Sequence, residues 1–199
     1  MIRALKIAVA DDEPDMRDYF RTILPQLGHT VIAVAGTGRE LVDLCRNAIP
    51  DLVITDIKMP DMDGIDAAVQ IHKGNPIPVI LVSAYHNPEF IERAEADHIL
   101  AYLVKPIKQA DLEPAIAIVM RRFEQFQALS KESKDLKQSL EDRKIIEKAK
   151  GVLMKKTGLD EQEAFRRLQK LASDRNMKLL AVAQMILTAE EAFGNATRT

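Results

Sequence analysis

Four short stretches of the chain carry side chains able to do ionic chemistry, and they lie far apart: Asp11-Asp12, Asp56, Ser83-Ala84 and Lys105-Pro106. Carboxylates gathered at one place repel one another unless they are protonated or a cation neutralises them. A set of hard oxygen donors suits Mg²⁺, which keeps several waters and also binds phosphate oxygens. A carboxylate that attacks a phosphoryl donor forms an acyl phosphate, a form of covalent catalysis. A metal ion and a lysine can neutralise charge on the transferring group, and a hydroxyl can hydrogen-bond one of its oxygens. Any single Asp of this kind is equally well a helix cap or a turn former. The set has chemical meaning only if the fold brings its members together.

The elements that must do so are visible as an alternation. Apolar runs at Leu5–Ala10, Thr30–Ala35, Leu52–Thr55, Pro78–Val82 and Ile99–Val104 are rich in Val, Ile and Leu, and most are continuous enough to predict strands buried on both faces. Helix-length segments lie between them at Pro14–Leu24, Arg39–Asn47, Gly64–Lys73 and Pro88–Ala96, and another helix begins near Gln109. Strand-helix alternation implies a parallel sheet covered on both sides. Five units in about 120 residues predict an α/β domain with a flavodoxin-like doubly wound five-stranded sheet. Ligands of such sheets sit beyond the carboxyl ends of the strands, which is where Asp11-Asp12, Asp56, Ser83-Ala84 and Lys105 fall.

With those residues placed, residues 1–120 resemble a two-component receiver domain. The matching motifs are Ala10-Asp11-Asp12-Glu13, the run from Asp56 to Gly64 (Asp-Ile-Lys-Met-Pro-Asp-Met-Asp-Gly), Ser83-Ala84 and Lys105-Pro106. The resemblance implies Asp56 as phospho-acceptor, labelled by a sensor histidine kinase. It implies Mg²⁺ held by Asp12, Asp56 and the backbone carbonyl of Lys58, with Asp11 supporting largely through water. It implies Ser83, Ala84 and Lys105 around the phosphoryl group, a cis peptide before Pro106, and Ser83 with Tyr102 as the switch pair, the hydroxyl moving toward the phosphoryl group as the ring turns inward. Lys58 and Tyr85 occupy variable positions that tune phosphoryl lifetime in that family. Such a protein accepts a phosphoryl group and loses it slowly; it is not expected to be an enzyme with a turnover substrate.

Beyond the first domain the chain turns helical. From about Asp111 to Lys150 almost no Gly or Pro interrupts it after Pro114, and apolar residues recur at Ile116, Val119, Phe123, Phe126, Leu129, Leu136 and Leu140. These spacings predict one long helix with a narrow seam, either a coiled-coil dimer contact or a rest against the receiver. Residues 121–144 are read as this linker. In residues 145–193, stripes at Ile145–Leu153, Ala164–Ala172 and Leu179–Leu187 predict a small three-helix domain. Gly158 is a C-cap, Asp160 with Glu163 forms a capping box, and Arg175-Asn176 is a break. Alanines 149, 164 and 183 would let the helices approach closely, with Phe165 filling the core.

The run Ile146–Met154, with Glu163–Leu168 and Leu179–Ile186, resembles an ANTAR domain, an RNA-binding module of transcription antiterminators. That resemblance implies binding to RNA hairpins in leader transcripts, usually as a homodimer formed on phosphorylation. Charge agrees with a division of labour: residues 1–120 carry 11 Lys and Arg against 18 Asp and Glu (−7), and residues 143–199 carry 12 against 7 (+5). Lys150, Arg166, Arg167 and Lys170 are the first candidates for RNA contact. Two rivals stand beside RNA binding. One is a helical protein-interaction or dimerisation module without nucleic acid. The other, weaker, is a DNA-binding helix-turn-helix, whose recognition helix Lys178–Leu187 would be nearly all apolar and poorly suited to a groove.

Other chemistries find no support. Ala35-Gly36-Thr37-Gly38 lacks the Gly-Lys-Ser/Thr of a P-loop. His29, His72, His86 and His98 show no metal-ligand spacing. The lone Cys45 sits among Leu41, Val42 and Leu44 and reads as a core thiol. No apolar stretch approaches the roughly 20 residues that span a bilayer, and no signal-peptide pattern is present, so the chain is expected in the cytoplasm.

Overall fold

The computed structural model describes residues 3–74, 76–84 and 99–194. The expected helix at Pro88–Ala96, together with Tyr85, His86, His98 and the tail after Gly194, lies outside the described residues. The chain divides into two compact units, residues 1–127 and 128–199.

In the first unit, strands β1 (Lys6–Ala10), β2 (Thr30–Ala35), β3 (Leu52–Asp56), β4 (Val79–Ser83) and β5 (Ile99–Val104) form a parallel sheet in the order β2-β1-β3-β4-β5. This is the flavodoxin-like order, with helices α1 (Pro14–Gln26), α2 (Gly38–Ala48), α3 (Gly64–Gly74) and the start of α4 (Gln109–Thr157) around it. The period of two along each strand sorts side chains to opposite faces. Ala8, Ala10, Val53, Val79 and Leu81 meet Leu41, Val42 and Cys45 of α2 and Ile65, Ala68 and Ile71 of α3. Ile7, Val9, Leu52, Ile54, Ile80 and Val82 meet Phe20, Ile23 and Leu24 of α1 and Leu112, Ile116 and Val119 of α4. The continuous apolar runs are explained for β3 and β4, which are buried throughout, and for β1 apart from Lys6. The edge strands β2 and β5 differ: both are largely half-buried because each lacks a neighbour on one side. Burial pushes the Cys45 thiol up to about 12, which leaves it a protonated core group.

In the second unit, the C-terminal part of α4 packs with α5 (Glu161–Asp174) and α6 (Leu179–Gly194). Ala149, Leu168, Ala172, Val182 and Ala183 are its buried centre, and Ala164 is also fully buried. Small residues at these contacts allow the short helices to share one core. Gly158 ends α4 with φ +71, its N–H bonded to the Met154 carbonyl at 2.9 Å. The Asp160 side chain accepts from the Glu163 N–H at 2.8 Å, and the Glu163 side chain accepts from the Asp160 N–H at 3.2 Å, completing the capping box. Phe165 departs from its expected place. It is half-buried rather than central, and with Ile146 and Leu179 it lines a cleft of about 440 Å³. The core is filled instead by Leu168 and Val182 with the alanines.

Candidate functional site

The site lies at the carboxyl edge of the sheet, where the strand ends deliver the groups expected of them. Asp11 directly follows β1, and its N–H donates to the Ala35 carbonyl at 3.2 Å, tying it to the end of β2. Asp56 is the last residue of β3. Register β3–β4 sets Asp56 beside Val82, and register β4–β5 sets Ser83 beside Val104. The Lys105 N–H donates to the Ser83 carbonyl at 2.8 Å, which joins the two backbones at the end of the sheet. The peptide between Lys105 and Pro106 is cis.

Asp11, Asp12 and Asp56 offer carboxylate oxygens that lie within 4.8 Å of one another; Asp11 and Asp56 are buried and Asp12 is exposed. Lys105 Nζ is 3.0 Å from Asp11 Oδ2, 2.9 Å from Glu13 Oε1 and 3.8 Å from Asp56 Oδ1. The contact to Asp11 is ionic and lacks hydrogen-bond geometry, so the buried Asp11 Oδ2 has no hydrogen-bond donor among the described residues. Asp11 Oδ1 accepts the Glu13 N–H at 3.0 Å. Burial, followed by the Asp11 charge, pushes the Asp56 carboxyl up to about 6 against the pull of Lys105. Burial also raises Asp11, with Lys105 opposing. Burial works against the charged Lys105, but the hydrogen bond to Glu13 and the ionic contacts with Asp11 and Asp56 outweigh it and hold its pKa above the ordinary lysine value.

Three crowded carboxylates, two of them with raised pKa values and one with an oxygen lacking a hydrogen-bond donor, form a donor set that a divalent cation would complete. The chemistry is that of hard oxygen ligands, as for Mg²⁺. Lys58 lies two residues past Asp56 in the exposed loop that would supply the backbone carbonyl. Ser83, the last residue of β4, is buried, and Ala84 after it is exposed. Tyr102, opposite Leu81 on β5, is half-buried and packs on the core face shared with α2 and α3.

Supporting residues escaped sequence reasoning. Arg17 Nη1 donates to the carbonyls of Asp11 at 2.7 Å and Asp12 at 2.9 Å, so α1 reaches back to brace the acidic loop. Thr55 Oγ1 donates to the Asp56 carbonyl at 3.0 Å. The loop after Asp56 folds tightly: a Cβ on Gly64 would collide with the Asp56 carbonyl oxygen, and one on Gly38 with that of Met62. Glu13, quoted within its motif, emerges as a direct partner of Lys105. Its position beside Asp12 was the available signal; for Arg17, six residues after Asp11 in another element, there was none.

In the second unit Arg166, Arg167 and Lys170 are exposed on α5, where with Leu171 and Asp174 they line one groove. Lys150 differs from its expected role. It is buried, and its ammonium is 2.7 Å from Glu147 Oε2 and 2.8 Å from Glu161 Oε1, so its charge serves the junction of α4 and α5.

Comparison with known proteins agrees with both halves. A family model described as response regulator receiver domain matches residues 7–117, and one described as ANTAR domain matches residues 134–187. The chain is 39% identical over 182 residues to a transcriptional regulatory protein of Mycobacterium tuberculosis, PdtaR, across 92% of this chain and 89% of that protein. A response regulator receiver domain protein from Clostridium thermocellum aligns with a TM-score of 0.56 at 29% identity, over 61% of this chain and 98% of that one. A chain of the CheX–CheY–BeF3–Mg complex from Borrelia burgdorferi aligns with a TM-score of 0.54 at 25% identity, over 57% of this chain and 87% of its own. Among the described residues no helix is long and apolar enough to cross a membrane.

Proposed function

Because the chain belongs to the response regulators in which a receiver domain is followed by an ANTAR domain, we propose that it accepts a phosphoryl group on Asp56 from a sensor histidine kinase and thereby controls an RNA-binding output in transcription antitermination. The observation that carries the first half is the convergence of Asp11, Asp12 and Asp56 beside Lys105. An Asp56 carboxylate oxygen attacks phosphorus, the bond from phosphorus to the donor's imidazole nitrogen breaks, and its electron pair stays on that nitrogen. Asp11, Asp12 and Asp56, with the Lys58 carbonyl, would hold Mg²⁺, which when bound offsets charge on the transferring group. Lys105 supplies a protein cation to the same group. Ser83, held beside Lys105, donates its hydroxyl to a phosphoryl oxygen, and Tyr102 turns inward as Ser83 moves. The protein acts in the cytoplasm as an acceptor that slowly loses its phosphoryl group, not as a turnover enzyme.

The RNA half is supported by the family of the second unit and by Arg166, Arg167 and Lys170, exposed together on α5. Leu129, Leu136 and Leu140 are exposed on α4 and support a homodimer seam formed on phosphorylation. They equally support a helical protein-interaction module without nucleic acid, and salt dependence separates that reading from RNA binding. Affinity for a hairpin carried by phosphate contacts falls steeply with salt. The deciding experiment is crosslinking of the phosphorylated protein to cellular RNA with sequencing. Enrichment of leader hairpins is expected for the wild type and not for Asp56→Asn. Equal recovery of bulk RNA by both proteins would refute the assignment.

A further inference from the structure

Glu13 takes no part in the carboxylate cluster, yet it shares the site's ammonium: Lys105 Nζ is 2.9 Å from Glu13 Oε1 and 3.0 Å from Asp11 Oδ2, against 3.8 Å for Asp56 Oδ1. The contact joins residues 92 positions apart. Its geometry is set from the backbone, because the Glu13 N–H donates to Asp11 Oδ1 at 3.0 Å and Pro14 fixes the next residue as the first of α1. Glu13 is the N-cap of α1, but its side chain makes no capping hydrogen bond. It faces Lys105 instead. The two ends of the pair differ in exposure, 62% for the Glu13 side chain and 13% for Lys105, so the pair closes the solvent side of the pocket with a bond open to water.

We propose that Glu13 is a positioning residue that holds Lys105 toward the rim of the pocket in the unmodified protein, so that capture of a phosphoryl group at Asp56 must first break the Glu13–Lys105 pair. This rests on Asp56 being the acceptor. A phosphoryl group on Asp56 brings anionic oxygens that need the same ammonium, and Glu13 competes with them for it. A solvent-facing ion pair is weak, so the competition sets a threshold and does not block the reaction: its removal is worth about a 1.5- to fivefold change in affinity. Glu13 would therefore tune how strong a donor the protein answers to.

The test uses the full chain, with beryllofluoride as phosphoryl mimic in saturating Mg²⁺ and Mg²⁺ affinity measured separately, both by calorimetry. Glu13→Gln keeps the shape and removes the charge; Glu13→Ala removes both. The expected result is beryllofluoride binding about 1.5- to fivefold tighter in both variants, with Mg²⁺ affinity unchanged and faster labelling by acetyl phosphate. Unchanged beryllofluoride affinity overturns the proposal. So does a parallel loss of Mg²⁺ and beryllofluoride affinity, which would place Glu13 in the cation's shell. A wild type that binds no beryllofluoride removes the acceptor reading and this one with it. A measurement on the wild type alone needs no variant: the ¹³C resonance of the Glu13 carboxylate should shift when beryllofluoride is added, and a resonance that stays in place overturns the proposal.

Discussion

The chemistry of the first unit rests on a few ionisable side chains whose surroundings oppose one another. Asp56 carries a carboxyl raised to about 6 by burial and by Asp11. An acid whose folded pKa lies above its unfolded value favours folding when protonated, so without a divalent cation this group lowers stability as pH rises from about 4 through about 6. Asp56→Asn should therefore raise the stability of the metal-free protein at pH 7 by about 1–3 kcal/mol, read as a higher urea midpoint in EDTA. The same variant should take no label from a small phosphodonor, and label persisting in it would place the acceptor elsewhere. His29 has the opposite sign. It is buried, its Nδ1 accepts the Leu5 N–H at 3.3 Å, and burial lowers its pKa, with the Glu113 charge opposing. A histidine with a depressed folded pKa contributes stability above its unfolded value of about 6.5 that is lost as pH falls through the folded one. In the Asp56→Asn background, which removes the opposing carboxyl, denaturation midpoints should drop between pH 7.5 and 5.5. They should drop less in His29→Asn, whose side-chain oxygen can accept the same N–H without titrating; equal slopes would remove His29 as the cause.

At the scale of elements, the loop from Asp56 to Gly64 shows how backbone packing holds reactive groups. Gly64 begins α3 against the Asp56 carbonyl, and its N–H donates to the Ile57 carbonyl at 2.8 Å. Gly64→Ala places a methyl where that carbonyl stands, and backbone cannot yield as a side-chain tip can. The expected loss is about 2–4 kcal/mol, with beryllofluoride affinity falling as well because Asp56 must shift. A variant that keeps both stability and affinity would show that the loop relaxes freely. Helix α4 makes a different point. Leu112, Ile116 and Val119 are buried on the sheet, Leu129, Leu136 and Leu140 are exposed, and Ala149 is buried again, so one helix carries three apolar faces with three employments.

For the whole molecule the question is how an acidic half and a basic half divide the work. Replacing Arg166 and Arg167 together with Ala removes two exposed cations from α5 while leaving the acceptor unit untouched. Hairpin affinity should fall and the slope of log affinity against log salt should flatten by about 1–2, with labelling at Asp56 unchanged. An unchanged slope would assign the RNA surface to another face. Lys150→Ala should act otherwise, since it strips Glu147 and Glu161 of their shared cation: thermal stability of the second unit should drop before any specific loss of RNA affinity is seen.

Strand runs, helix lengths, the capping box at Asp160 and Glu163, and the break at Arg175-Asn176 are local in origin. Side-chain periodicity and cap chemistry act over a few residues, so a linear reading reaches them. The candidate pocket was legible for a related reason: a parallel sheet sends every strand's carboxyl end to one edge, and the residue after each strand is known once the strand is known. Tertiary packing alone decided the rest. Whether Lys150 meets solvent or Glu161, whether Phe165 or alanines fill the small core, and whether Lys105 leans toward Asp56 or Glu13 all turn on ångström distances between residues of different elements. Such choices follow from the free space and competing charges around a side chain, quantities that exist only once the chain has closed on itself.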